Sequence, residues 1–150
     1  QIYRGGMAIV SRNNIQFRHQ QLLFADKEFF KVFGLDLLEG NTNKALEQVN
    51  SVVITQSESK KLFKGKNALG KLIKINDNEY IITGVIKDSP ETTHFQFDLL
   101  ASIRTIHPEN FGGLEFFTYY LMKKGYYFED VSHKIAALND STITHGFGSM

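Results

Sequence analysis

The chain has no cysteine among its 150 residues, which excludes disulfides, thiolate metal sites and a cysteine nucleophile. The absence leaves the compartment open, because extracytoplasmic proteins without disulfides are common. Tryptophan is missing as well, while phenylalanine occurs thirteen times; no function attaches to that imbalance. An excess of one charge is also lacking. Seventeen Lys and Arg stand against sixteen Asp and Glu, so the balance calls for neither nucleic acid nor an anionic membrane as partner. No stretch approaches the roughly eighteen apolar residues a membrane helix needs, and the start carries no signal-peptide pattern. The chain by itself therefore reads as soluble. There is no internal repeat and no low-complexity linker. At this length it can bury roughly two thirds of the surface its unfolded form exposes, enough to fold without covalent staples.

Motifs that carry chemistry are equally scarce. No Gly-x-Ser-x-Gly occurs, so the strained serine turn of the α/β-hydrolases is absent. Residues 65–71, Gly-Lys-Asn-Ala-Leu-Gly-Lys, echo a phosphate loop but lack its glycine spacing and the Ser or Thr after Lys71. His19, His94, His107, His133 and His145 never fall at metal-site spacing. His94 suits a positioning hydrogen bond, and His133 lies one helical turn from Glu129 as a solvated neighbour. Glu129 and Asp130 read as first-turn residues that oppose a helix dipole, not as a glycosidase pair. No catalytic residue, cofactor-binding residue or metal ligand is assigned, and no cofactor is expected. The one charge patch holds Lys60, Lys61, Lys64, Lys66, Lys71 and Lys74 without an acid among them. A solvated helix face with a cation-friendly C-terminus accounts for it; a docking surface for an acidic partner or lipid headgroup is the sharper alternative, and lysines without arginine or interleaved aromatics make a poor base reader.

The most informative stretch is 51–88. Val52, Val53 and Ile54 form a β-branched run ending at Thr55, whose hydroxyl can cap a helix beginning near Gln56, with Glu58 three residues on as the second half of a capping box. Ser59, Leu62 and Phe63 share one face, and Gly65 offers the left-handed residue that stops the helix. Residues 72–76 and 79–87 read as a hairpin turning at Asp77-Asn78, with Gly84 marking a bulge or a close backbone approach. Before this stretch, residues 7–10 and 15–24 read as a hairpin around Arg12-Asn13-Asn14. Asp26 can cap a helix to about Phe33 that stops at Gly34, with Phe29, Phe30 and Phe33 filling a core. Residues 35–38 suggest a short strand and 42–50 a polar surface loop with a helical turn near Ala45 and Leu46. After it come a strand over 92–102, a loop over 104–113, a strand over 116–123, a turn at Gly125, and a helix striped by Phe128, Val131, Ile135 and Leu138.

The order Val-Val-Ile-Thr, Lys-Lys-Leu-Phe, Ala-Leu-Gly-Lys, hairpin, Thr-Gly-Val-Ile-Lys-Asp-Ser-Pro resembles the MacB-like periplasmic core domain of FtsX-type ABC transporter permeases. Residues 26–34, Leu37-Leu38-Glu39-Gly40, and the loop from Pro90 through His94 to Asp98 extend the likeness, the last in a form similar to Bacteroidetes members. The resemblance implies an α+β, two-lobe extracytoplasmic domain. A small α/β lobe (26–95) would be inserted into a porter-like α+β lobe (1–25 and 96–145), with 146–150 as an added tail. It also implies a non-catalytic periplasmic domain on the outer side of the bacterial inner membrane, coupling ATP-driven helix motion to a substrate or periplasmic partner. A cytoplasmic ATPase subunit or domain and a second permease copy would be its partners, with one membrane helix before this segment and three after it. The alternative is a soluble small-molecule-binding or sensor domain, for which a cleft lined by Tyr and Phe would speak. A third reading, a hydrolase, requires a histidine brought to a serine and an acid in a cleft.

Overall fold

A computed structural model describes residues 1–89, 95–106, 116–122, 124–125 and 132. Alternating apolar residues and an Asn-Asn pair produce its first element, a long hairpin. Strand β1 (Ile2–Arg12) returns as β2 (Ile15–Ala25) through Asn13 and Asn14, at φ 50° and 63°. Asparagine tolerates that left-handed region, and the mirror turn matches strand twist. β1 starts earlier than the sequence pattern suggests. Gly5 and Gly6 do not end it, since a register shift between Arg4 and Gly6 absorbs them as a bulge.

Helix α1 (Phe29–Phe33) and strand β3 (Leu37–Gly40) follow, then β4 (Ser51–Thr55) and helix α2 (Gln56–Phe63). Strands β5 (Leu72–Ile75), β6 (Asn78–Ile86), β7 (Leu99–Ser102) and β8 (Phe116–Phe117), with a 3-10 turn at Ile103–Thr105 between the last two, complete the described elements. β1 pairs with β2 and β5, β5 with β6, β6 with β4, β4 with β7, and β7 with β2, so six strands close a ring. The β2–β7 and β4–β6 pairs are parallel and the rest antiparallel. The fold is a mixed α+β domain built on a small closed barrel. β3 pairs with β6 and β8 with β1, outside the ring.

Period-two alternation sorts the side chains into two clusters. Val10, Leu22, Phe24, Val52, Ile54, Ile73, Ile75, Tyr80, Ile82, Leu99 and Ala101 fill the barrel, where Leu62 and Phe63 of α2 join them. Their neighbours in sequence, Leu23, Val53 and Leu100, face outward and meet Phe29, Phe30, Ala45, Leu46 and Phe97. Residues Gln1–Tyr119 form one compact unit; of the second, Tyr120–Met150, only 120–122, 124–125 and 132 are described.

Several expectations shift. The second hairpin turns at Asn76-Asp77, φ 47° and 70°, one residue before the expected pair, because Ile75 opposite Asn78 keeps Ile73 and Ile75 in the core. Lys64, φ 52°, supplies the left-handed end of α2, and Gly65 only follows it. Asp26 accepts from the Glu28 amide at 3.1 Å, but α1 itself begins at Phe29 without a side-chain cap. The strand expected over 92–102 is confined to Leu99–Ser102 among the described residues, and the one over 116–123 to Phe116–Phe117, where β1 offers only Ile2 and Tyr3 as partners. The helix expected around Phe128 to Leu138 falls outside the described residues. Gly84 is the close approach its position suggested. It sits at the β4–β6 register shift, and a Cβ there would lie 2.8 Å from Leu37 Cδ1 and 3.1 Å from the Glu39 carbonyl.

Candidate functional site

The polar groups that the fold buries gather in two places. The first is the underside of α2. Thr55 caps the helix as its sequence requires, its hydroxyl accepting from the Glu58 amide at 3.3 Å. Glu58 does not complete the reciprocal box, because the Thr55 amide donates instead to the Asp98 carbonyl at 3.0 Å. The Glu58 carboxylate turns inward and is fully buried; Oε2 takes a hydrogen bond from Lys61 Nζ at 2.6 Å, and Oε1 has no partner among the described residues. Lys61 Nζ also donates to Gln20 Oε1 at 2.9 Å, and Gln20 Nε2 donates to the Arg18 carbonyl. The chain of bonds fastens α2 to β2. Burial pushes the Glu58 carboxyl up from its ordinary 4.5, the bond and charge of Lys61 oppose that, and Asp98 adds to it. Arg12 completes the foot, its guanidinium 4.1 Å above the Phe63 ring while Nη1 donates to the Leu62 carbonyl at 2.9 Å.

The second place is the segment 41–50, expected as a surface loop. Its helical turn forms around Ala45 and Leu46, but both side chains are buried. Four successive carbonyls each find a side-chain donor, Thr83 Oγ1 to Ala45 at 2.7 Å, Ser102 Oγ to Leu46 at 2.9 Å, Arg104 Nη1 to Glu47 at 3.0 Å and Ser51 Oγ to Gln48 at 2.7 Å, the last carbonyl also accepting from the Ser51 amide at 3.4 Å. The segment is a strap across the barrel wall. Beside it, Phe29 and Phe30 are core as the sequence suggests, whereas Phe33 stacks at the edge with Phe95 and Tyr119, ring centroids 5.1 and 5.2 Å away.

Of the residues weighed for chemistry, His94, His107, His133, His145, Glu129 and Asp130 lie outside the described residues, as does the side chain of His19. Among the described residues no group of three or more His, Asp or Glu converges as a metal site. The Glu58 carboxylate is sealed from solvent, so a substrate cannot touch it. The lysine patch loses one member, since Lys61 is committed to Glu58 and Gln20; Lys60, Lys64, Lys66, Lys71 and Lys74 remain exposed. Sequence reasoning missed Glu58 as a buried group. The signal was its place four residues before Leu62, on the stripe α2 turns to the core.

A domain of a permease protein from Porphyromonas gingivalis superposes with a TM-score of 0.75 at 20% identity, over 93% of this chain and 62% of that one. The periplasmic region of MacB from Actinobacillus actinomycetemcomitans gives 0.68 at 19% identity, over 94% and 65%. The extracellular domain of the noncanonic ABC-type transporter YknZ from Gram-positive bacteria gives 0.54 at 16%, over 69% and 54%. This chain thus spans less than two thirds of each of those structures. No curated protein sequence matches it. No helix among the described residues is long and apolar enough to cross a membrane. Residues 2–138 match the MacB-like periplasmic core domain, and the chain belongs to that family.

Proposed function

We propose that this domain carries no reaction of its own and works in an ABC transporter permease as a stiff extracytoplasmic element. It would pass ATP-driven motion of membrane helices to a substrate or a periplasmic partner. The family match over residues 2–138 carries this reading. The closed ring supports it, because a barrel held by six strand pairs and strapped by four side-chain bonds moves as a body. The ATPase subunit or domain and a second permease copy are the partners proposed, neither requiring nucleic acid. The lysine-rich surface of α2 and the region from Phe95 to Gly113 are the faces proposed to meet a periplasmic partner. The two-lobe division stays part of the proposal, a small α/β lobe (26–95) inserted into a porter-like lobe (1–25 and 96–145).

The test is made in the intact permease reconstituted with its ATPase. Deleting residues 2–119 should leave basal ATP hydrolysis in place and abolish the transport or signalling output. Output that survives the deletion sinks the proposal, as does a full-length sequence without membrane helices flanking this segment.

A further inference from the structure

Among the buried side-chain nitrogens and oxygens of the described residues, Glu58 Oε1 alone has no partner. The Glu58 side chain is 0% exposed, so its compensation rests on Oε2, which accepts from Lys61 Nζ at 2.6 Å. Lys61 itself is 42% exposed. Its ammonium is thus a partner that can leave by turning into solvent, with side-chain entropy in favour of leaving.

The surroundings supply no second cation. β2 offers the amide of Gln20, whose Oε1 shares Lys61 Nζ at 2.9 Å, while Arg18 two residues earlier is exposed. The Thr55 hydroxyl, at the end of β4, is taken by the Glu58 amide. β6 reaches α2 at its Ile86 end and holds its one charge, Glu79, at the other. Ahead of β7, Asp98 adds negative charge, its Oδ2 occupied by the Gln21 amide at 2.7 Å. Asp88, past β6, accepts from the Ser57 amide at 3.2 Å, and Arg12 of β1 is committed to the Leu62 carbonyl and the Phe63 ring. An ionised carboxyl with one bare oxygen in this enclosure requires the Lys61 charge; a neutral carboxyl tolerates the bare oxygen and gains little from the ammonium. The place of Lys61 is therefore tied to the proton on Glu58. Burial, opposed by Lys61, moves that exchange above the ordinary 4.5.

We infer that Glu58 and Lys61 form a pH-read latch under α2: the ionised acid holds the ammonium inward against β2, and the protonated acid lets it swing out among Lys60, Lys64, Lys66, Lys71 and Lys74. Acidification thus adds a cation to the lysine face and releases the tie to Gln20. Residues 59–76, which carry these lysines, contain no acid, so an anionic partner surface meets a stronger face at lower pH. That use rests on the partner face proposed for α2; the latch itself does not.

Acetylation of the whole chain by an N-hydroxysuccinimide ester, read lysine by lysine in a mass spectrometer, reports the latch with Lys60 and Lys64 as internal references. At neutral pH Lys61 should react about tenfold more slowly than those two, the worth of one charged hydrogen bond. Glu58→Gln keeps the shape and imitates the neutral acid, and should bring Lys61 within about twofold of them, as for solvated side chains. In the parent the Lys61 ratio should rise toward that of the variant as pH falls, through a midpoint above 4.5. Should circular dichroism show that Glu58→Gln fails to fold, the pH series of the parent decides alone. Lys61 labelled as fast as Lys60 in the parent at neutral pH, or a ratio unmoved by acid or by the folded variant, overturns the inference. Neither ATPase nor partner enters the assay, so its failure leaves the lever role standing, and failure of the lever role leaves the latch.

Discussion

Replacing Leu46 by alanine separates a surface loop from a structural strap. An exposed loop residue would lose within about 0.5 kcal/mol. Leu46, however, is 1% exposed and packs in the cluster with Phe29, Phe30, Val53, Phe97 and Leu100. Truncating a buried leucine removes its transfer free energy and leaves a cavity, together costing about 2–5 kcal/mol. The site cannot collapse freely, because the four donors hold the backbone of residues 45–48 at fixed distances. We therefore expect about 3 kcal/mol, a fall in Tm of roughly 6–12 °C for a domain of this size. Val49, three residues on and 55% exposed, is the internal control: Val49→Ala should fall within about 0.5 kcal/mol of the parent. Urea denaturation followed by far-UV circular dichroism suits a chain without tryptophan. Ser102→Ala should cost about 1–2 kcal/mol by leaving the Leu46 carbonyl without its donor. Combined with Leu46→Ala it should show coupling, since both changes loosen one turn. A Leu46→Ala cost no larger than that of Val49→Ala would refute the strap.

Gly40 sits at φ 103°, where a Cβ would lie 2.5 Å from the Thr83 carbonyl and 2.9 Å from Gly84 Cα; Gly40→Ala should cost about 2–4 kcal/mol and peel β3 from β6, read as lost hydrogen-exchange protection at residues 37–40. Glu58 holds its proton more tightly folded than unfolded, so its contribution to stability should fall as pH rises from near 4.5 through its raised folded value. Urea midpoints across that range should decline in the parent relative to Glu58→Gln; an identical profile in the two proteins refutes the assignment. Asn76→Gly retains the positive φ but loses the acceptor for the Ile9 amide, so it should cost about 1 kcal/mol, and Asn76→Ala more because strain is added. Equal losses in thermal melts of the two variants would place the whole effect in the hydrogen bond.

Legibility in this sequence follows the reach of the interactions. The start of α2 at Gln56 is readable because Thr55 and the Glu58 amide settle it within four residues. The first hairpin is readable because Asn13 and Asn14 are the only local pair suited to its turn. The second is ambiguous. Asn76-Asp77 and Asp77-Asn78 suit a mirror turn equally well, and only the need to bury Ile73 and Ile75 together against Tyr80 selects the first. β7 hides its limits for the opposite reason, being buried on both faces so that no alternation marks where it begins. The strap is illegible because its composition is polar and its donors stand at Thr83, Ser102 and Arg104, dozens of residues away.

Barrel closure lies still further from local pattern. Two of its six seams are parallel pairs, β2 with β7 and β4 with β6, which no turn can announce. Each of those parallel seams joins residues dozens of positions apart, Leu22 with Leu99 and Val52 with Ile82, so only the buried faces of the finished ring select them.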